Sequence, residues 1–453
     1  MSTYSKQNVS STEIVDQYLS FFREHDHYEL PGSPLVGPGN GTSFVIAGMQ
    51  PLLPYLRGLV TPPSHRLTSL QRCLRTDDID MVGTNGCKNT SFHMLGNWSV
   101  GNYGRREAIT MALELLLDRF GLNIANLWVT VFAGDPELCI LPDEAAIEEW
   151  LRVGIPRERI VPLGSEDNLW EMGSGIGPCG PCSEIFVDRG PVFGCGSPTC
   201  QPGCSCERYM ETWNLVFMDF ERLPGGALVS LPLRNVDTGL GLERFATVLQ
   251  GAESNFSIDL FLPASERLTE LMPVQRTDDS SIERRARRIV LDHTRAVILA
   301  GLAGVEPGRD GRNSVIRRLI RRAARQGRLL GIQGPFLGEL VEPLAQGHGA
   351  LFTVEEHARL PFLRDVITRE ERLFARVLTD GLRYLEQLKP DHDHIVSGER
   401  LFRLHAEKGF PADLAAEILS ERGINVDWSS YEHSLEDHRR ISRVSAEKHF
   451  RGI

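Results

Sequence analysis

Val236-Asp237-Thr238-Gly239-Leu240-Gly241-Leu242-Glu243-Arg244-Phe245 is the stretch on which the fold turns. It reads as a strand running into two spaced glycines, where backbone can come close to a ligand, and then as the opening of a helix. An arginine on the first turn of that helix can hold a polyphosphate, and Asp237 can take a substrate ammonium. A glycine-rich strand-to-helix turn with a surface Glu-Arg pair explains the same residues equally well. The string therefore has to be read with its neighbours.

Immediately upstream, ETWNLVFMDF (211–220) and ALVSLPL (227–233) read as strands, as do EIFVD (184–188) and LWVTVFAG (127–134). Helical periodicity predicts helices over 11–26, opened by a Ser/Thr cap, over 106–120, and over 143–154, stopped by Gly154. Residues 28–104 are rich in Gly, Pro and Thr with short apolar runs, the composition of strands and turns. Downstream the character changes. Residues 281–304, 312–331 and 368–388 all carry helical period, and PDHDH (390–394) reads as a Pro-led polar turn with solvated histidines. The chain thus divides near residue 255 into an α/β (α+β) part, 1–255, and a mostly helical part, 256–453.

A chain of 453 residues is long enough for two domains with a small inserted subdomain. Its 41% hydrophobic and 24% charged content suits an ordinary globular core. No apolar run reaches the roughly 20 residues that span a bilayer. The N-terminus, MSTYSKQNVSSTEIVDQYL, has neither a basic nor an apolar leader region, which predicts a cytoplasmic protein with no membrane partner. A net charge of −11 argues against coating a nucleic-acid backbone non-specifically. Six of the nine cysteines fall between Cys179 and Cys206, a clustering that points to a metal or to local structure rather than to a disulfide framework.

The decisive string has company. TSLQRCLR (68–75), MLGNWSVGNY (94–103), NLWEMG (168–173), GPCGPCSEI (177–185), ETWNLVFMDF (211–220), LDHTRAVIL (291–299), VIRRLIRRAAR (315–325) and GFPADL (409–414) occur along the chain. With GLGLERF as motif 3, the set resembles the class II alanyl-tRNA synthetases, in order, from about residue 11 to the C-terminus. The resemblance implies a class II synthetase-type antiparallel sheet flanked by helices, followed by a helical acceptor-recognition domain. It implies activation of alanine by in-line attack of its carboxylate on the α-phosphate of ATP, with Mg2+. Transfer of the alanyl group to the 3′ end of tRNA(Ala) follows in the family.

Such chemistry needs cations at the pentavalent phosphate, a clamp for the polyphosphate and an anion for the ammonium. Arg75, at the motif 2 arginine, suits the bridge between the amino-acid carboxylate and the α-phosphate. Arg244 suits the γ-phosphate end and the adenine, and Asp237 the ammonium. Phe92 and Met94 belong to the ATP side, with Gly239 and Gly241 leaving room for the nucleotide. Trp170 and Val216 suit the walls of a methyl-sized pocket and Asn214 its polar contact, although core or sheet packing would explain Trp170 and Val216, and a strand-end polar position Asn214. The sequence names no Mg2+ ligands.

Two further clusters stand apart. Cys195, Cys200, Cys204 and Cys206 place four thiols in one Gly/Pro-rich loop (179–206 with the CGPC turn), enough for a structural Zn2+, though their spacing is not that of a paired Cys-x2-Cys ribbon. Arg317, Arg318, Arg321, Arg322, Arg325 and Arg328 make a basic face on one helix. Such a face can track the phosphates of a tRNA acceptor stem, or pair with acidic neighbours.

The sequence also departs from the family. The usual Arg-His-x-Thr-Phe-Phe-Glu-Met is Cys87-Lys88-Asn89-Thr90-Ser91-Phe92-His93-Met94 here. A phosphate-facing arginine has become Cys87, with Lys88 as a replacement charge, and one of two aromatics able to stack on adenine has become Ser91. The motif 1 Asn-Ala-Gly-Met is Ile46-Ala47-Gly48-Met49. The Asn and Asp with which the family reads a G:U pair align with Gly311 and Ala406, with Asn313 and Asp413 nearby. Each lost contact is worth about 1–3 kcal/mol of discrimination. The sequence holds no counterpart of the family's editing and C-terminal domains, and an alanine site rejects glycine and serine poorly without editing. Three readings follow: alanyl transfer to tRNA; alanyl transfer to an amine or amide of a small molecule in specialised-metabolite biosynthesis; or an inactive RNA-binding or regulatory homologue. Intact Arg75, Asp237 and Arg244 oppose the last.

Overall fold

The computed structural model describes residues 9–37, 43–172, 175–273, 281–391 and 394–450, with side chains described as far as 440. Gly173 of the NLWEMG string and His392 of the polar turn lie outside the described residues. Helix α1 (Ser11–Glu24) begins at a capping box: Ser10 Oγ accepts the Glu13 N–H at 3.2 Å, and the Ser10 N–H donates to the Glu13 carboxylate at 2.7 Å. Ile14, Val15, Tyr18, Phe21 and Phe22 form its buried stripe.

The sheet contains β1 (Tyr28–Glu29), β2 (Arg66–Leu74), β3 (Ser91–Ser99), β4 (Leu127–Phe132), β5 (Ile160–Leu163), β6 (Leu169–Trp170), β7 (Gly177–Asp188), β8 (Tyr209–Arg222) and β9 (Leu228–Gly241). Its order is β1-β2-β3-β9-β8-β7-β4-β5, with β6 paired to β7. The pairings from β2 across to β4 are antiparallel, and parallel pairs close both ends, β1 with β2 and β4 with β5. The opening string is the centre of this arrangement. β9 ends at Gly241 and passes directly into α2 (Leu242–Leu249), whose Leu242, Phe245, Ala246 and Leu249 are buried.

Beyond α2 the described residues are mostly helical, led by α3 (Ser281–Leu302), α4 (Gly311–Leu329), α5 (Val354–Gln387), α6 (Gly398–Lys408) and α7 (Ala412–Ser420). One apolar core runs from Phe245 through Phe261, Ile289 and Leu319 to Phe374, so the helical region packs onto the sheet region without a break. A second, smaller core of Met49, Leu56, Leu67, Trp98, Val216 and Met218 lies on the other side of the sheet. No helix among the described residues is long and apolar enough to cross a membrane.

Two helices differ from their sequence expectations. The helix expected over 368–388 begins at Val354 and carries Pro361 within it. A capping box at Thr353 and the buried run Leu360, Leu363, Val366 and Ile367 continue the stripe through the proline, outweighing the hydrogen bond it removes. The helix expected over 106–120 is α-helical over Arg105–Glu114 and widens to a π-helical turn at Leu115–Arg119.

Candidate active site

Three adjacent strands in register build the floor of the site. Cys182 of β7, Val216 of β8 and Asp237 of β9 form one row, which Trp98 of β3 extends; Glu184, Asn214 and Gly239 form the next. Residues two apart share a face, so the two rows stand side by side. Above them is a cavity of about 650 Å3, which Arg75, Phe92, Met94, Trp170, Asn214, Val216, Asp237, Gly239, Gly241 and Arg244 all line. The structure therefore brings together every residue singled out for ATP or the amino acid.

One end of the cavity is anionic. Asp237 is 5% exposed, and its Oδ1 accepts the Trp98 indole N–H at 2.6 Å. Burial pushes its carboxyl up to about 7, against the opposing pull of the Trp98 hydrogen bond. Asn214 donates from Nδ2 to Glu184 at 3.3 Å, while its buried Oδ1 has no partner among the described residues. A buried acceptor left open beside a buried carboxylate suits a ligand ammonium. Val216 is buried between them, and Trp170, paired in register with Gly180, closes the side.

The other end is cationic. Arg75 Nε donates to the Ile46 carbonyl at 2.9 Å and its guanidinium lies 4.9 Å from the Phe92 ring centroid. No hydrogen bond from its terminal nitrogens occurs among the described residues. Arg244 donates from Nη1 to Glu211 at 2.6 Å and from Nε to the Cys87 carbonyl at 3.4 Å. Burial disfavours its charge, but Glu211 more than offsets this and holds it protonated. Lys88 and Cys87 both line the same end, and Lys88 Nζ sits 3.7 Å from Asp78.

Two carboxylates that sequence reasoning left without a role complete the wall. Burial acts to raise Glu211, yet Arg244, Arg75 and Lys88 hold it below the usual range. Glu184 is pushed well above that range by burial and by Glu211 beside it. Both lay inside quoted strings, but alternation hides Glu211, which is odd where Asn214 and Val216 are even. A bulge reveals it: Ile185 pairs with Trp213 and Phe186 with Glu211, so Thr212 is an extra residue that turns Glu211 into the cavity.

One expectation needs correction. Ser91 is not at the nucleotide side. It alternates with Phe92 and Met94 and lies on the opposite face of β3, where its carbonyl accepts from Arg295. Gly239 borders the cavity, but a Cβ there would lie 2.9 Å from Met94 Sδ, so its small size accommodates Met94 directly.

A family model described as tRNA synthetases class II (A) matches residues 13–451. The chain belongs to this family. An alanine–tRNA ligase of Thermoanaerobacter sp. (strain X514) is 40% identical over 446 residues, 97% of this chain and 49% of that protein. One of Alkaliphilus oremlandii (strain OhILAs) is 40% identical over 445 residues, 96% of this chain and 49% of that protein. The chain spans about half the length of the curated relatives it matches. A solved apo histidyl-tRNA synthetase of S. aureus overlays with a TM-score of 0.32 at 12% identity, covering 52% of this chain and 65% of that one.

The two outlying clusters are also placed. The four thiols of Cys195, Cys200, Cys204 and Cys206 lie within 4.8 Å of one another. On α4, the arginines are engaged. Arg317 and Arg321 pair with Glu370 at 3.2 and 3.1 Å, and Arg318 with Asp413 at 2.6 Å. Arg322 meets Asp80 and Glu417, and Arg325 meets Glu421. The side chains of Arg322 and Arg325 are only 2% and 4% exposed, so the helix does not present all its arginines on one solvent-facing stripe. At the expected reader positions, Gly311 opens α4 and Ala406 is an exposed methyl on α6.

Proposed function

We propose that this synthetase activates alanine with ATP and passes the alanyl group to an acceptor, the 3′ end of tRNA(Ala). One observation carries the reading: a single cavity holds a buried carboxylate at one end and two arginines at the other. Asp237 holds the α-ammonium and Asn214 Oδ1 accepts one of its protons. Val216 and Trp170 leave room for a methyl. The substrate carboxylate then meets Arg75, whose open fork bridges it to the α-phosphate, and attacks phosphorus in line as pyrophosphate leaves. Charge builds on the non-bridging oxygens, where Arg75 stabilises it, while Arg244 and Lys88 take the β- and γ-phosphates. Phe92 and Met94 are the neighbours for adenine.

ATP brings Mg2+, which neutralises the polyphosphate. Glu211 and Glu184 suit it as two neighbouring, half-buried carboxylates on the cavity wall that offer oxygen ligands. The four thiols of the Cys-rich loop suit a structural Zn2+.

A second acceptor is favoured by particular features of the helical region. Five arginines of α4 already have carboxylate partners, and Gly311 and Ala406 offer no side-chain hydrogen bond to a wobble pair. These favour delivery to an amine or amide of a small molecule. Pyrophosphate exchange across the amino acids, followed by acylation with and without tRNA, separates the readings. Alanine-dependent exchange with acylated tRNA supports the first; exchange without any acylated tRNA removes it; no exchange with any amino acid removes both.

A further inference from the structure

Between β7 and β8 the chain makes an excursion over residues 189–208 that has almost no core of its own. Val192 is 82% exposed, and residues 196–199 are all exposed. A loop of this length usually needs something besides apolar packing to hold it in one shape. Here the thiols converge: Cys195 and Cys204 sulfurs are 3.7 Å apart, and Cys200 and Cys206 sulfurs 3.4 Å. A disulfide needs about 2.05 Å. Four sulfurs about 2.3 Å from a tetrahedral zinc have edges of about 3.8 Å, close to what the loop provides. Gly196 and Gly203, at φ +76° and +92°, turn the chain back beside two of the cysteines, a conformation that a side chain would strain.

The knot is joined to the cavity at its cationic end. Gly203 and Cys204 are part of the wall. Glu207 Oε1 accepts the Gly86 N–H at 2.8 Å, immediately before Cys87 and Lys88. Arg189, at the other stem of the loop, donates to the Glu207 carbonyl at 3.3 Å and to the Ala252 and Glu253 carbonyls at 3.0 and 2.7 Å. By contrast, Asp237, Val216 and Trp170 stand on β-strands, and no hydrogen bond joins these three to the four cysteines or Glu207 among the described residues.

We propose, resting on the Zn2+ reading of the four thiols, that the metal knot is a positioning element for ATP: it fixes the Gly203–Cys204 wall and, through Glu207, the turn that carries Lys88 toward the polyphosphate. The alanine end is independent of it.

The test uses the full chain. Zinc content is measured by thiol-triggered release to a chromophore, ATP·Mg2+ affinity by calorimetry, and the KM for alanine by pyrophosphate exchange. The chain as isolated should hold about one zinc. Chelation should weaken ATP binding roughly tenfold, leave the alanine KM in place and be reversed by added Zn2+. Glu207→Ala should keep the zinc yet reproduce the ATP-selective loss; Cys139→Ser, at an exposed cysteine outside the knot, should change nothing. No zinc, with the thiols free or oxidised, overturns the metal reading. Zinc with unchanged ATP affinity in both the stripped chain and Glu207→Ala overturns the coupling alone, and so does an equal loss for alanine and ATP. If the stripped chain unfolds by circular dichroism, Glu207→Ala still decides.

Discussion

Asp237 and Trp98 face one another across neighbouring strands, and the indole N–H donates to one carboxylate oxygen at 2.6 Å, leaving the other to the cavity. Burial raises the carboxyl to about 7 in the free protein. Only the ionised form attracts an ammonium, and the ammonium in turn stabilises that form. The kcat/KM for alanine should therefore fall as pH drops below about 7 and level off above it. With saturating alanine the fall should move to lower pH, because the bound ammonium draws the carboxyl down. Pyrophosphate exchange from pH 5.5 to 9 checks this; an identical profile at low and saturating alanine would assign the titration elsewhere.

Removing the charge is the sharper test of the same contact. Asp237→Asn keeps the shape but loses the ion pair, and should reduce kcat/KM for alanine by about 100-fold, some 3 kcal/mol, with ATP binding little changed. Trp98→Phe removes the hydrogen bond that favours ionisation, so the alanine profile should shift to higher pH. The paired measurements are alanine-dependent exchange and ATP calorimetry.

Arg75 offers a planar fork whose backbone tie, Nε to the Ile46 carbonyl, and whose contact with Phe92 fix its plane. A lysine keeps the charge but cannot bridge two oxygens in that plane. Arg75→Lys should lower kcat for exchange by about 100-fold, as loss of a preorganised donor at a developing charge does in other sites. Near-normal kcat with a raised KM for ATP alone would make Arg75 a binding residue only.

Most of this site was legible in the sequence because the resemblance pointed to its residues, and regular strands then keep them together. Asn214 and Val216 are two apart on β8, and Asp237 and Gly239 two apart on β9, so strand period alone puts each pair on one face. Arg244 followed from the helix that opens after Gly241. What was not legible depends on breaks in the period or on partners distant in sequence. Glu211 enters through the bulge at Thr212, and Ser91 leaves because alternation sends it to the far side of β3. Trp98 meets Asp237 only through sheet order. The basic helix shows the same limit: its arginines are periodic, but Asp80, Glu370, Glu417 and Glu421, which engage them, come from three separate segments.

That engagement makes the acceptor testable by salt and mutation. If α4 tracks tRNA phosphates, Arg317→Ala with Arg321→Ala should weaken tRNA binding and reduce its salt slope by about two, one per lost phosphate contact. If Glu370 is their only partner, tRNA affinity and its slope should stay as they are. Filter binding at several salt concentrations distinguishes the two outcomes, with alanine-dependent exchange as the control for folding.

Glu243 supplies the acid limit of the fold. It sits just beyond Gly241, 2% exposed, accepting the His93 backbone N–H at 3.0 Å and Arg295 Nη1 at 2.8 Å, with His93 Nδ1 at 3.0 Å. Burial alone would raise its carboxyl, but Arg295 and His93 overcome that and draw it down to about 2. A carboxyl lowered from its usual value near 4.5 binds protons less readily when folded than when unfolded. Its stabilisation is therefore complete above about pH 4.5 and is lost as pH falls toward 2, amounting to about 3 kcal/mol. Glu243→Gln leaves the Arg295 charge buried without its counter-ion and should cost about 3–5 kcal/mol at pH 7. Because the wild-type carboxyl becomes neutral in acid, the gap between the two proteins should narrow steadily below pH 4.5. Urea unfolding at pH 7, 4 and 3 measures it, and a gap that does not change with pH would mean that the ion pair is not what holds β3, α2 and α3 together.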